Sequence, residues 1–313
     1  MDARIVFMGT PNFSVPVLES LLRSTHHVVA VYTRPDRPAG RGRQPMPSPV
    51  KSAALQAGIP VAEPQSLREE MSATELRALN PDLVVVAAFA YLLPPQVLDV
   101  LRYGCVNVHP SLLPRHRGPS PVATALLRGD TETGVSVMLM DRGLDTGPIL
   151  AQERIAIADE DTTGSLTMHL ADLGASLLLG TIDGWLDGSV SAQPQNERDA
   201  TSSARITARE GRLDWSLPVE VLWRQVRAYH PWPGSYALWN GQRLKVHSAL
   251  PLALQPPHAP GTVVDVSGPC SVGVVTADGV LGLRRIQLEG KREATAEEFV
   301  RGHRDFVGSF LES

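Results

Sequence analysis

Elementary strand geometry can bring three polar side chains to one point: Asn107, His109 and Asp145. Cys105-Val106-Asn107-Val108-His109 reads as a strand, and side chains two apart on a strand share a face. Asn107 and His109 are therefore expected to emerge together at the strand's carboxyl end, where open α/β sheets place their ligands. Pro110 and Pro114 then break the regular backbone beside them. Asp145 follows in Leu144-Asp145-Thr146-Gly147-Pro148, a turn just past another apolar run, and is expected to face the same crevice. Alone, each has an ordinary role as a loop cap or turn residue. Their convergence on one sheet edge is what points to chemistry. No serine occupies a G-x-S-x-G elbow and no cluster completes a metal site. An amide, an imidazole and a carboxylate without a nucleophile suit direct acyl transfer between two bound substrates, with no metal.

A second feature is the run from Thr33 to Lys51, which carries Arg34, Arg37, Arg41, Arg43 and Lys51 among prolines and glycines. It joins the second predicted strand to its helix, so it rims the crevice assigned to Asn107 and His109. The formal net charge of the chain is -4, so affinity for a polyanion has to come from a local patch of this kind. Read by composition alone, the same run is a solvated loop. Gly9 follows the first predicted strand, but Pro11 and Phe13 stand where a dinucleotide fingerprint needs glycine.

The elements that must position these groups follow from hydrophobic period. Ile5–Met8, Val28–Thr33, Leu83–Ala88, Cys105–His109 and Val135–Met140 read as strands. Helices are expected from Ser14, from Ser48-Pro49 to Gly58, and after a capping box at Ser72-x-x-Glu75. Such alternation predicts an α/β domain with a doubly wound parallel sheet over residues 1–188. Residues 189–208 are rich in Ser, Gln, Asn and Thr without apolar period and read as a linker. Over 209–313 a helix at Pro218–Tyr229 precedes short strands with hairpin signals at Asn240-Gly241 and Asp278-Gly279, then a helix capped by Thr295-x-x-Glu298. A small β-barrel is expected there.

With 313 residues, 43% hydrophobic and 20% charged, the chain has the composition of a two-domain globular protein. Its two cysteines, far apart, argue against a disulfide framework. No secretion signal and no membrane-spanning stretch is read from the sequence, so a cytoplasmic protein without membrane contact is expected.

The run Asn107-x-His109-x-Ser111-Leu112-Leu113-Pro114-Arg115-x-Arg117-Gly118, with Leu144-Asp145-Thr146-Gly147, resembles the signature of the folate-dependent formyltransferases. Phe7-x-Gly9-Thr10-Pro11-x-Phe13, Pro35-Asp36-Arg37-Pro38-Ala39-Gly40-Arg41-Gly42 and Ser48-Pro49-Val50-Lys51 are similar to the branch that formylates methionyl-tRNA. Pro231-Trp232-Pro233-Gly234-Ser235 and Lys245-Val246 also fit. Pro110 and Pro119-Ser120 depart from the small residues of many relatives. The resemblance implies a Rossmann-like catalytic domain and an OB-like C-terminal tRNA-binding domain. It implies 10-formyltetrahydrofolate as formyl donor, no metal, and initiator methionyl-tRNA as acceptor, in a monomer. It makes Asn107, His109 and Asp145 catalytic, with Asp145 expected to keep His109 protonated. The folate site it implies runs along Phe89, Ala90, Tyr91 and Leu92 and along Ser111, Leu112, Leu113 and Pro114. Arg37, Arg41, Arg43 and Lys51 are the expected tRNA contacts. A sugar-nucleotide formyltransferase, a noncatalytic RNA-binding module and a folate hydrolase are the competing readings.

Overall fold

The computed structural model describes residues 2–39, 44–66, 70–89, 91–99 and 101–313, with the side chains of residues 38, 39, 44 and 70–73 excepted. Two compact units are formed, one from Met1–Pro121, Glu132–Ala156 and Thr167–Ser203, the other from Val122–Thr131, Ile157–Leu166 and Ala204–Ser313.

In the first unit, β1 (Arg4–Gly9) leads into α1 (Ser14–Leu22), and β2 (His27–Tyr32) leads into a small hairpin of β3 (Arg37–Ala39) and β4 (Gln44–Met46). Then come α2 (Pro49–Gln56), β5 (Val61–Ala62), α3 (Glu70–Ala78), β6 (Leu83–Ala87), α4 (Pro95–Leu98) and β7 (Cys105–His109). The chain continues through α5 (Pro121–Arg128), β8 (Glu132–Leu139), β9 (Ile149–Ala156) and α6 (Thr163–Asp187). One sheet holds seven of these strands in the order β5-β2-β1-β6-β7-β8-β9. The pairs from β5 to β7 are parallel, whereas β8 and β9 return antiparallel. The expected parallel sheet thus carries an antiparallel edge, a common variation. Its centre is apolar on both faces: every residue of β6 and β7 is buried.

Local signals account for several boundaries. Ser48 Oγ accepts the Lys51 N–H at 3.0 Å and caps α2, whose first residue is Pro49. Helix α3 starts at Glu70, so Ser72, read as its cap, lies inside the first turn; Glu70 and Met71 are good helix formers and extend it. Helix α6 has 25 residues and contains an 18-residue window with a mean hydropathy of 1.2, long and apolar enough to cross a membrane by length and composition, contrary to the reading that no such stretch exists. Here it lies on the sheet: Leu170, Ala171, Leu178 and Ile182 are wholly buried. A Cβ on its Gly174 would come within 2.7 Å of Val108, so the absent side chain lets helix and sheet close up. Trp185 donates to the Tyr103 carbonyl at 3.0 Å.

In the second unit, α7 (Val219–Ala228) packs with an antiparallel sheet of β10 (Ser235–Trp239), β11 (Gln242–Leu252), β14 (Val280–Leu288), β13 (Val272–Val275) and β12 (Val263–Asp265). A short β15 (Ala294–Thr295) adds to β14, and α8 (Ala296–Gly302) follows. Asn240 and Gly241 both have positive φ, 50° and 73°, as a two-residue primed hairpin requires. The register of β11 shifts around Ser248, which bends the strand in the manner of a closing barrel. The Thr295 capping box is present on α8. Trp215, Leu222, Leu244, Val274, Ile286 and Phe306 share one core.

One contact ties this frame to the polar residues at its edge. A Cβ on Gly147 would collide with the Leu139 carbonyl at the end of β8. Gly147→Ala is therefore expected to cost about 1–3 kcal/mol, as overpacking does. It should show as a lowered Tm in thermal unfolding.

Candidate active site

Strand β7 sets the site. Asn107 and His109, alternating with Val106 and Val108, turn to the same face and are buried, 8% and 5% exposed. Both line a cavity of about 660 Å³ together with Asp145, Thr10, Arg34, Phe89, Tyr91, Leu92, Met140 and Leu144. The volume suits a drug-sized ligand, and a mostly apolar wall with a few convergent polar groups is the usual form of such a site.

His109 has an acceptor at each ring nitrogen. Nε2 lies 3.3 Å from the His116 carbonyl, and Nδ1 lies 3.7 Å from Asp145 Oδ1. A carbonyl and a carboxylate both only accept, so a neutral ring, with one N–H, serves one of the two and leaves the other without a proton. Burial pushes the imidazole below its ordinary value of 6.5, and the pull of Asp145 and the bond to His116 only partly offset it. Burial thus acts against the protonated His109 that the sequence suggested, while Asp145 acts for it. Taking the ring out of water disfavours its cation more than one nearby carboxylate favours it.

The support of Asp145 is equally specific. Its φ is 55°, a left-handed conformation that aspartate tolerates better than most residues. Oδ2 accepts the Gly118 N–H at 2.8 Å, which leaves Oδ1 toward His109. Gln195 donates to the carbonyls of Asp145 and Gly147 at 2.9 and 2.7 Å, and accepts from Arg117 at 2.8 Å. Arg117 also pairs with Glu197 at 2.8 Å. Thr201 Oγ1 accepts the His116 N–H at 2.9 Å. Gln195, Glu197 and Thr201 all belong to the 189–208 stretch read as a linker, so its first part is bonded to both loops that carry the site. Their abundance of side-chain donors and acceptors, in place of Gly/Ser flexibility, was the signal available in the sequence.

Phe89, Tyr91 and Leu92 line the cavity; Ala90 lies outside the described residues. Ser111–Pro114 are placed elsewhere. Leu112, Leu113 and Pro114 border a different cavity of about 570 Å³, and Ser111 is wholly buried. Their bonds explain why. Ser111 Oγ donates to the Arg115 carbonyl at 2.7 Å. Ser136 Oγ accepts the Leu113 N–H at 3.0 Å and donates to the Ser111 carbonyl at 2.6 Å. This turn fixes the loop that delivers the His116 carbonyl. Among the predicted tRNA contacts, Arg37 is exposed at the start of β3, and Arg41 and Arg43 lie outside the described residues. The ammonium of Lys51 is held by Asp36 at 2.9 Å and Glu63 at 2.8 Å, which compensates its charge. No group of three or more His, Cys, Asp or Glu side chains able to hold a metal occurs among the described residues. Burial pushes the Cys105 thiol up to about 12, so it is no thiolate nucleophile at neutral pH.

Residues 3–182 match the Formyl transferase family and residues 205–304 the Formyl transferase C-terminal domain. The chain is 45% identical over 307 residues to the methionyl-tRNA formyltransferase of Roseiflexus sp., covering 97% of this chain and 94% of that one. Identity is also 45% to the enzyme of that name from Bacillus licheniformis, over 96% of this chain and 95% of the relative. The N-formyltransferase of Helicobacter canadensis, solved with folinic acid and dTDP-3-aminofucose, shares the fold at a TM-score of 0.63 and 17% identity, over 90% of this chain and 99% of that one.

The electrostatics of the site can be read in solution. The His109 ring, followed by its NMR carbon-bound proton, should titrate below 6.5. In Asp145→Asn, which removes the carboxylate that draws its pKa upward, it should titrate lower still. A midpoint above 6.5 in the unmodified protein would place the carboxylate, not burial, in control.

Proposed function

The chain belongs to the methionyl-tRNA formyltransferase family, and on that premise we propose how its own residues carry the reaction. It moves the formyl group of 10-formyltetrahydrofolate to the amino group of initiator methionyl-tRNA, giving N-formylmethionyl-tRNA for translation initiation. The observation that supports the assignment of roles is the meeting of Asn107, His109 and Asp145 in one largely apolar cavity.

That cavity suits a folate. Phe89 and Tyr91 stand edge to face with ring centres 5.3 Å apart, and with Leu92 they offer a wall for a flat heteroaromatic group. The acceptor must arrive as a free amine; an α-amino group titrates near ~8, and its carboxyl ester lower, so much of it is neutral at pH 7. As the amine adds to the formyl carbon, charge builds on the formyl oxygen, where the Asn107 amide donates a hydrogen bond. The new bond leaves a proton on the attacking nitrogen. Neutral His109 takes it at Nδ1, and Asp145 stabilises the imidazolium formed. His109 then returns the proton to the departing folate nitrogen as the old carbon–nitrogen bond breaks.

We assign Arg37, Arg41 and Arg43 to phosphates of the acceptor and Lys51 to fixing the base of the hairpin. The residue ranges 1–188, 189–208 and 209–313 serve as catalytic domain, connection and tRNA-binding domain, the last supported by its separate antiparallel sheet. A role in translation supports a monomer working in the cytoplasm.

Asn107→Ala and His109→Ala should each lower kcat about 10²–10³-fold with the fold intact. The double variant should fall far short of the product of the two losses, because both act on one transition state. The assay is transfer of labelled formyl from the folate to charged initiator tRNA, free methionine and an amino-sugar nucleotide in parallel. Transfer to the sugar alone would overturn the reading.

Salt separates the cationic contacts from the chemistry. Replacing Arg41 and Arg43 together by Ala should weaken tRNA formylation and reduce the slope of log KM against log salt by up to about 0.7–0.9 per lost phosphate contact. An unchanged slope would reduce the loop to a solvated connection.

A further inference from the structure

The mechanism leaves one cation of the catalytic cavity unused. Arg34 lies between β2 and the β3–β4 hairpin and lines the same cavity as Asn107, His109 and Asp145. Its guanidinium sits over the Tyr91 ring, 5.2 Å from the ring centre. Its Nε is buried and finds no hydrogen-bond partner among the described residues. Thr10, on the turn after β1, lines the cavity too, and its Oγ1 is likewise buried without a partner. A buried donor left unpaired is costly, and a charged one more so. Two such donors on one cavity wall are what a site for a ligand oxygen looks like before the ligand arrives.

The backbone around Arg34 is fixed rather than adaptable. Thr33 N–H donates to the Ala62 carbonyl at 3.0 Å, and its Oγ1 lies 2.7 Å from Ser48 Oγ. Two residues further on, Asp36 is clamped by Lys51, whose ammonium reaches both carboxylate oxygens at 2.9 Å. The Tyr91 ring adds a cation–π contact to the guanidinium. A planar fork with an unpaired N–H is suited to an oxyanion, and a lysine would not reproduce its geometry.

We propose that Arg34, with Thr10 of the same cavity lining, binds an oxyanion of the acceptor substrate, a phosphodiester at the 3′ end of the charged tRNA. The proposal rests on the formyl-transfer reading above and deepens it. Arg34 begins the cationic series Arg34, Arg37, Arg41, Arg43, so the segment that carries exposed arginine on the hairpin also carries one into the cavity. A phosphate held there would be fixed relative to Asn107 and His109, placing the amine for attack. The folate's glutamate carboxylate is the other source of the same chemistry, and the measurements below separate the two.

Wild-type transfer to charged initiator tRNA is measured first; its absence would refute the functional reading itself. Given that activity, Arg34→Ala should lower kcat/KM for charged tRNA about tenfold or more, chiefly through KM. The slope of log KM against log salt should fall by about 0.7, one phosphate contact of a single-stranded end. The dissociation constant of 5-formyltetrahydrofolate, an unreactive analogue, should stay within about twofold. Arg34→Lys, which keeps the charge, should retain the salt slope while still raising KM; it also serves if the alanine variant fails to fold. Weakened folate binding with an unchanged KM for tRNA would overturn the assignment in favour of the folate carboxylate. No change in either quantity would make Arg34 a packing residue on Tyr91.

Discussion

Burial of the imidazole of His109 between two acceptors is the constraint around which the catalytic unit is built. A ring with the His116 carbonyl at one nitrogen and the Asp145 carboxylate near the other is best satisfied as a cation. Its burial makes that cation expensive. The two pressures oppose each other, and in the free protein burial prevails. The neutral ring, with a single N–H, then leaves one of its two acceptors unmet.

Such a balance survives only if neither acceptor can move away. That explains the concentration of left-handed, non-glycine backbone about the site: Ala88 and Asp145 line the cavity, and His116 supplies the carbonyl, with φ of 48°, 55° and 58°. Strain of this kind persists where surrounding bonds over-determine it. Here those bonds are identifiable. Gly118 and Gln195 hold Asp145 from two sides, Thr201 holds the His116 amide, and Ser136 with Gln152 braces the preceding turn. Gly147 adds a steric condition, since only a residue without Cβ fits against the Leu139 carbonyl.

Parts of this were legible in the sequence because they are local. The period of two put Asn107 and His109 on one face, Asn240-Gly241 marked a hairpin, and Ser48 and Thr295 marked helix starts. What was not legible depends on partners far along the chain. Arg117 and Gln195 are 78 residues apart, and neither declares the other. Lys51 looked like one more cation of a basic run; only the fold sets Asp36 and Glu63 against it. Ser111–Pro114 adjoin His109 in sequence, yet Leu112, Leu113 and Pro114 border a different cavity from the one at the strand end. The antiparallel return of β8 and β9 escaped for a related reason: a buried strand reads as apolar whichever way it runs. Helix α6, as apolar as a membrane span, owes its composition to lying on the sheet.

The architecture separates what is chemically general from what is substrate-specific. Asn107 and His109 stand on a central strand wholly buried on both faces, where any change of backbone would disturb the sheet. Arg34 and Tyr91 stand on connections beyond strand ends, where a cation–π contact and the nearby Lys51–Asp36 pair, not the ladder of the large sheet, hold the chain. Connections of that kind can change composition without altering the register of β7. An amide, a buried imidazole and a carboxylate can then keep their placement while the residues around them vary. The fold itself is shared at 17% identity with the N-formyltransferase of Helicobacter canadensis, so the sheet persists where the sequence has diverged widely. In this chain the rim is rich in arginine while the net charge is negative.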